Sequence, residues 1–420
     1  MKLASSSLSD VGRQRQHNED ACLADDDLGL YVVCDGMGGH AAGDVAAGRA
    51  VEAIRAEVAS HRRELSALAA DPGPANRLAV ADLLETAIQR ASAVVYGLAQ
   101  ADPSRRGMGT TCVALVIAGG KGVIGHVGDS RVYLLRAGLL HRLTEDHTLV
   151  QAQLKQGLIS AEQAAVSEYK NVITRAVGIQ PSVQVDTLVT DVLPGDLFLL
   201  CTDGLHGYLE DGETAALLAA TPAAGLPARL VALANERGGR DNVTAVAVTV
   251  SGAPVPEVLG EVEARFEAMR AIPLFRHLGY KEQLAVLSLA VTRSYGPGAE
   301  IAVEEGPAEE LFVVVRGRVA VEKGGVPIAE LLPGGHFGEL GLVDNGPRPA
   351  TVRALEPTRC VVLCRNDLLS LMRREPVLAV KLLWSLVQVL SERLRAVNLD
   401  ACPVPAAPVP WPFDGEGPAS

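Results

Sequence analysis

The chain has 420 residues, 48% hydrophobic and 21% charged, which is enough for two or three domains with their own cores. A net charge of −12 excludes the basic face that nucleic acid requires and disfavours an anionic membrane, so neither is expected as a partner. No apolar run reaches the roughly 18 residues of a membrane span. The start MKLASSSLSD is too polar for a signal peptide, and the seven scattered cysteines read as reduced core residues, so a cytoplasmic location is expected.

In chain order, apolar runs predict strands at Gly29–Cys34, Thr111–Ile117, Gly122–His126, Val132–Arg136, Leu197–Cys201 and Asn242–Val250. Ala-rich stretches predict long helices at Gly43–Leu68 and Ala79–Ala99, broken at DPGPAN. Strands mixed with paired helices imply an α+β layered fold over residues 1–250. The stretch 251–264, beginning SGAPVPEVLG, reads as a linker. Residues 265–397 open with a helical pattern and then carry short strands punctuated by Gly and Pro, the signature of a jelly-roll β-barrel. A last helix is expected at about 377–397, with Leu382, Leu383, Leu386, Val389, Leu390 and Leu394 as its apolar stripe. The proline-rich tail 398–420 is expected to be disordered.

The chemistry begins at Val32–Asp44, VVCDGMGGHAAGD, where a buried-type strand delivers Asp35 into a glycine-rich turn. Asp-Gly pairs also simply start turns, so this stretch alone leaves both readings open. Asp203 ends a second apolar run (LFLLCTDG), Asp129 lies in HVGDSR, Asp241 in GGRDNVT, and Glu19 and Asp20 in NED. Carboxylates at several strand edges, some beside glycine, form a donor set for hard divalent cations such as Mg²⁺ or Mn²⁺. With no paired His or Cys, zinc is not matched.

Eight motifs stand in order: RQHNED, DGMGGHAAGD, GMGTT, GDSR, LTEDHT, ITRAVG, TDGL and RDNVT. Together they resemble the metal-dependent protein phosphatases of type 2C over about residues 5–250. The resemblance implies a four-layer αββα sandwich and hydrolysis of phosphoserine and phosphothreonine by water activated between two or three Mn or Mg ions. By the same resemblance, Asp35 bridges two metals, with Asp203 and Asp241 completing one site. Glu19 or Asp20 and the Gly36 carbonyl serve the second, directly or through water, and Asp129 supports a third. Arg15 grips the substrate phosphate, and the segment 144–175 resembles the family's flap. His40 is a candidate general acid, although Met37 occupies the place after DG where eukaryotic-type members carry their histidine. Arg15 as a surface arginine, and Asp129–Ser130 as a tight turn, are the simpler alternatives. His126 and His147 read as structural, and Thr110 and Thr111 as sheet packing.

PGGHFGELGLVDNGPRPATVRA (Pro333–Ala354) resembles the cyclic nucleotide-binding family. That resemblance implies a phosphate held by Arg348 and by N–H groups from Gly338, with Glu339 on the ribose and Leu340, Ala350 and Thr351 completing the cassette. A buried arginine–glutamate pair is the structural alternative. Pro349 stands where the family usually has Ala, Ser or Thr, and its missing N–H removes a contact worth about 1.5–3 kcal/mol. The absence of threonine there tilts the ligand towards cAMP over cGMP. The expected whole is a phosphatase acting on phosphoproteins (Ser/Thr kinases or their targets) under a cyclic nucleotide sensor. The rivals are a phosphatase whose roll is a ligand-free docking or dimerisation module, and a non-enzymatic sensor with a decayed phosphatase domain.

Overall fold

The computed structural model describes residues 1–38, 42–253, 256–342 and 346–398. The chain divides into two compact units, Met1–Pro254 and Val255–Ser420.

The first unit contains β1 (Lys2–Asp10), β2 (Asp20–Asp25), β3 (Leu30–Met37), β4 (Gly109–Thr110), β5 (Cys112–Ala118), β6 (Lys121–Val127), β7 (Arg131–Arg136), β8 (Leu139–Arg142), β9 (Asp186–Asp191), β10 (Leu197–Cys201) and β11 (Val243–Ser251). They form two antiparallel sheets, β1-β11-β10-β7-β8 and β2-β3-β5-β6-β9, with β4 paired to β3. Period-2 alternation explains how the layers assemble. Leu30, Val32 and Cys34 face Ala46, Ala50 and Ile54 of the helix Gly43–Ser60 and Leu84 and Ile88 of the helix Pro74–Ala101. The alternate residues Tyr31 and Val33 are fully buried on the opposite face, where β3 lies against β10 and β11. On the outer side of the other sheet, Leu197, Leu199 and Cys201 pack on Leu226 and Leu230 of the helix Leu226–Glu236. The result is the expected αββα sandwich.

The expected helix 43–68 is two helices, Gly43–Ser60 and Arg62–Ala70, interrupted at His61. The second long helix starts earlier than expected, at Pro74, because a proline in the first turn needs no N–H and has the right φ already.

The second unit has two four-stranded antiparallel sheets. Its strands are β12 (Val291–Tyr295), β13 (Glu300–Ala302), β14 (Glu310–Arg316), β15 (Val319–Lys323), β16 (Val326–Leu331), β17 (His336–Phe337), β18 (Thr351–Ala354) and β19 (Thr358–Cys364). The orders are β12-β19-β14-β17 and β13-β18-β15-β16, enclosing stacked Phe312 and Phe337. Leu311, Val313, Val361 and Leu363 face outward onto helices through Met269, Phe275, Val286 and Leu382. The stretch expected as a linker is largely helical: Ser251 ends β11 and a helix spans Pro256–Ala271, again with proline in the first turn. In the last helix, Pro376–Asn398, Leu382, Leu386 and Val389 are buried, but Leu383 faces solvent, so the apolar stripe is narrower than expected. The tail from residue 399 lies outside the described residues. Among the described residues, no single helix is long and apolar enough to cross a membrane.

Candidate active site

Antiparallel topology brings the acidic motifs to one end of the first unit. Asp20 opens β2 and Asp35 lies near the end of β3, directly opposite it in the strand register. Asp129 sits between β6 and β7, Asp203 begins the helical turn after β10, and Asp241 stands just before β11. Glu19 and Arg15 precede β2. Thus Arg15, Glu19, Asp20, Asp35, Gly36, Asp129, Asp203 and Asp241 share one pole of the sandwich. His40 lies outside the described residues.

Hydroxyl and amide side chains hold these groups in place. Thr111 Oγ1 accepts from the Asp35 N–H (2.9 Å) and pairs with Ser130 Oγ (2.7 Å). The Asp35 carbonyl accepts from Thr110 Oγ1 (2.8 Å) and from the Thr111 N–H (2.9 Å). The two threonines read as sheet packing therefore fasten the Asp35 backbone. Thr244 and Thr202 hydroxyls donate to Asp20 Oδ2 at 2.6 and 3.0 Å. Asn242 Oδ1 accepts from the Glu19 N–H (2.8 Å), and its Nδ2 donates to the carbonyls of Val11 and His17, clamping the N-terminal loop. Gly36 must be glycine, since a Cβ would stand 2.1 Å from the Gly43 carbonyl oxygen and 2.4 Å from that of Glu19.

The electrostatics are those of carboxylates forced together. Burial, then the charges of Asp20, Asp203, Asp129 and Asp241, hold the Asp35 carboxyl well above the usual range. Burial pushes Asp20 up to about 7 against the two threonine hydrogen bonds, with Asp203 and Asp241 adding to the rise. Burial, then Asp203 and Asp146, pushes Asp129 up to about 7. Asp203 is raised by burial and Asp241, and its hydrogen bond with Asp35 opposes that rise. Arg15 Nη2 donates to Asp241 Oδ2 at 2.7 Å, both side chains being solvent-accessible. Burial raises Glu19, opposed by a hydrogen bond from the Gly43 N–H.

Among the described residues, no three acidic, His or Cys side chains stand in a geometry that holds a metal ion. The donor set nonetheless fits hard cations: the carboxylates depress one another's ionisation, and Asp20 Oδ1 is buried without a hydrogen-bond partner. The protein phosphatase 2C family profile matches residues 12–234. The chain belongs to the protein phosphatase 2C family.

The phosphatase is 36% identical over 244 residues to the serine/threonine phosphatase stp of Listeria innocua, covering 57% of this chain and 93% of that protein. It is 34% identical over 248 residues to protein phosphatase PhpP of Streptococcus pneumoniae (58% and 96% covered). The solved Mycobacterium tuberculosis phosphatase PstP/Ppp matches at 32% identity and TM-score 0.53, covering 60% of this chain and 100% of that one. A PstP catalytic domain solved with two manganese ions matches at 33% identity and TM-score 0.51 (60% and 99% covered). The chain is thus a metal-dependent protein serine/threonine phosphatase. A cyclic nucleotide-binding domain profile matches residues 292–375, in the second unit.

In that domain Arg348 is buried, its Nε donating to the Pro307 carbonyl (3.0 Å) and its Nη2 to that of Glu310 (2.9 Å), with the guanidinium carbon 5.5 Å from the Phe312 ring centre. Among the described residues Nη1 has no hydrogen-bond partner and is buried, and burial lowers the arginine's pKa. A Cβ on Gly338 (φ +87°) would stand 2.3 Å from Nη1, so only glycine fits there. Glu339 is buried at the start of a 3₁₀ turn, Glu339–Leu342, directly after Gly338. Leu340 is 39% exposed, and Pro349 is exposed. Ala350 is half-buried, and Thr351 Oγ1 accepts from the Glu304 N–H (3.0 Å) rather than standing free for a ligand.

Proposed function

We propose that Asp35, Asp203, Asp241, Asp129, the Glu19/Asp20 pair and the Gly36 carbonyl hold two or three Mn or Mg ions. The observation that carries this reading is the convergence of all the carboxylates on one pole of the sandwich, with the Asp35 backbone bolted on both sides by Thr110 and Thr111. Cations held there would supply an activated water and positive charge for the phosphoryl transition state. The protein's share is placement. The threonines fix Asp35, Asn242 fixes the Glu19 loop, and Arg15 pairs with Asp241 within reach of an incoming phosphate dianion. His40 as proton donor to the leaving oxygen belongs to the same proposal. The substrates are phosphoserine and phosphothreonine proteins of the cytoplasm, Ser/Thr kinases or their targets. Mn²⁺-dependent hydrolysis of a phosphothreonine peptide, with Asp35→Ala as control, tests this, and equal rates in the two proteins overturn it.

The second domain is proposed to sense cAMP and to bias the phosphatase. Support comes from Arg348 Nη1, a buried donor with no partner among the described residues, which meets the needs of a single phosphate charge. A second reading, a ligand-free docking module, is favoured by Pro349 and by the two carbonyls that already occupy the rest of the guanidinium. Calorimetry with cAMP and cGMP, paired with the phosphatase assay, separates them: heat plus an activity change supports the sensor, and neither supports the module.

A further inference from the structure

His147 stands at the base of the 144–175 segment, and its bonds run in two directions. Towards the site, its N–H donates to the Gly128 carbonyl (2.8 Å) and its Nδ1 accepts from the Gly128 N–H (3.1 Å). The residue preceding Asp129 is therefore held at both of its polar backbone atoms by one residue. Towards the segment, the His147 carbonyl accepts from the Thr174 N–H (2.7 Å) and Oγ1 (3.1 Å). Because Nδ1 accepts, the ring proton sits on Nε2, which faces Asp186 Oδ2 at 3.3 Å. Arg175 Nη1 lies 3.2 Å from that same nitrogen and donates to Asp186 Oδ1 at 2.8 Å. The ring is buried and lies 4.5 Å from that of His126. The Asp129 turn has little freedom elsewhere. His206 Nε2 sits 2.9 Å from the Asp129 carbonyl oxygen, and Gly128 (φ +103°) is so close to Thr111 that a Cβ would meet it at 2.7 Å.

We propose that His147 is a positioning residue that seats the Asp129 turn and the 148–175 segment as one unit, so that loosening either loosens the other. This rests on the assignment of Asp129 to the cation side of the site. In the full-length protein, His147→Phe keeps a ring but leaves the Gly128 N–H without its acceptor. His147→Asn returns an oxygen to the Nδ1 position. Three readouts apply: Mn²⁺ binding by calorimetry without substrate, amide hydrogen exchange at Leu149 and Thr174, and kcat/KM on a phosphothreonine peptide against p-nitrophenyl phosphate.

For the Phe variant the expected result is about tenfold weaker binding at the weakest Mn²⁺ step, together with faster exchange at both amides. Peptide turnover falls more than that of the small substrate, and the Asn variant returns all three readouts to within about threefold of wild type. A folded Phe variant with a wild-type Mn²⁺ isotherm overturns the proposal, whether or not exchange accelerates. Should the Phe variant not fold, Asp186→Asn loosens the ring from its Nε2 side; weaker Mn²⁺ binding together with faster exchange supports the tie, and no change in both overturns it. Asp129→Asn in the same titration separates the two levels. If it binds Mn²⁺ as wild type does, the Asp129 assignment falls and the proposal with it; if it weakens while His147→Phe does not, only the tie falls.

Discussion

Thr111→Val is the most direct probe of how Asp35 is held. The hydroxyl is buried, accepts from the Asp35 N–H at 2.9 Å and pairs with Ser130 Oγ at 2.7 Å. Valine keeps the branched shape but leaves the Asp35 N–H without its acceptor beside a buried side chain. An orphaned buried donor costs about 1–3 kcal/mol, and the broken hydroxyl pair adds about 1 kcal/mol. A total of about 2–4 kcal/mol lowers the melting temperature of a unit this size by roughly 4–16 °C. Thr110→Val is the internal comparison. Its hydroxyl donates to the Asp35 carbonyl, which still accepts from the Thr111 N–H at 2.9 Å, so nothing is orphaned and the expected loss is about 0.5–1.5 kcal/mol. Urea melts at fixed Mn²⁺, with kcat/KM on a phosphothreonine peptide, should rank Thr111→Val well below Thr110→Val in both stability and activity. Equal losses, or the reverse order, would refute the idea that the Asp35 N–H is the critical bond.

Gly36→Ala drives a methyl into two backbone oxygens, so kcat/KM should fall at least about tenfold, a barrier increase of about 1.4 kcal/mol, and an active, wild-type-like variant would contradict the crowding seen at this turn. Gly338→Ala strikes Arg348 Nη1, and scanning calorimetry should show the second unit melting earlier while Mn²⁺-dependent phosphatase activity, measured without cyclic nucleotide below that melt, stays at wild type. Chelation should abolish activity and lower the first unit's melting temperature, with Mn²⁺ restoring both in a concentration-dependent way; activity that survives exhaustive chelation would rule out the cation reading. Asp10 accepts from Asn235 Nδ2 and the Gly12 N–H, which hold its pKa below the ordinary value. Its contribution is therefore present above the unfolded value near 4 and is lost as pH falls through the lower folded value, so the stability gap between wild type and Asp10→Ala should narrow on acidification below about pH 4.

The strands whose apolar runs are buried on both faces were legible because nothing in them competes with that reading: Leu197–Cys201 was expected and found with the same ends. β1, by contrast, is KLASSSLSD, whose serines carry no hydrophobic signal; it is a strand because every residue from Lys2 to Asp10 finds a partner in β11, a non-local pairing invisible to local pattern. The acidic residues could be read because they recur in motifs. Their supports could not, since a threonine that fastens a backbone and a threonine that fills a sheet look alike in sequence. Asn242 lies in RDNVT beside Asp241, but nothing in that motif shows the three distant groups it bonds. His147 and His206 carry no hint either, because their partners are backbone atoms of a distant turn.

The pairing of β1 with β11 has a topological consequence. Lys2 lies opposite Ser251, so the catalytic unit begins and ends at the same spot, and that spot is the far end of β11 from Asp241. Nine strand residues at about 3.3 Å each separate that end from the carboxylates, a distance of about 30 Å. The unit is in effect a closed loop with a seam away from its chemistry. A new module can be spliced in at either side of the seam, or the chain reopened at an exposed turn, without touching a residue that faces the site.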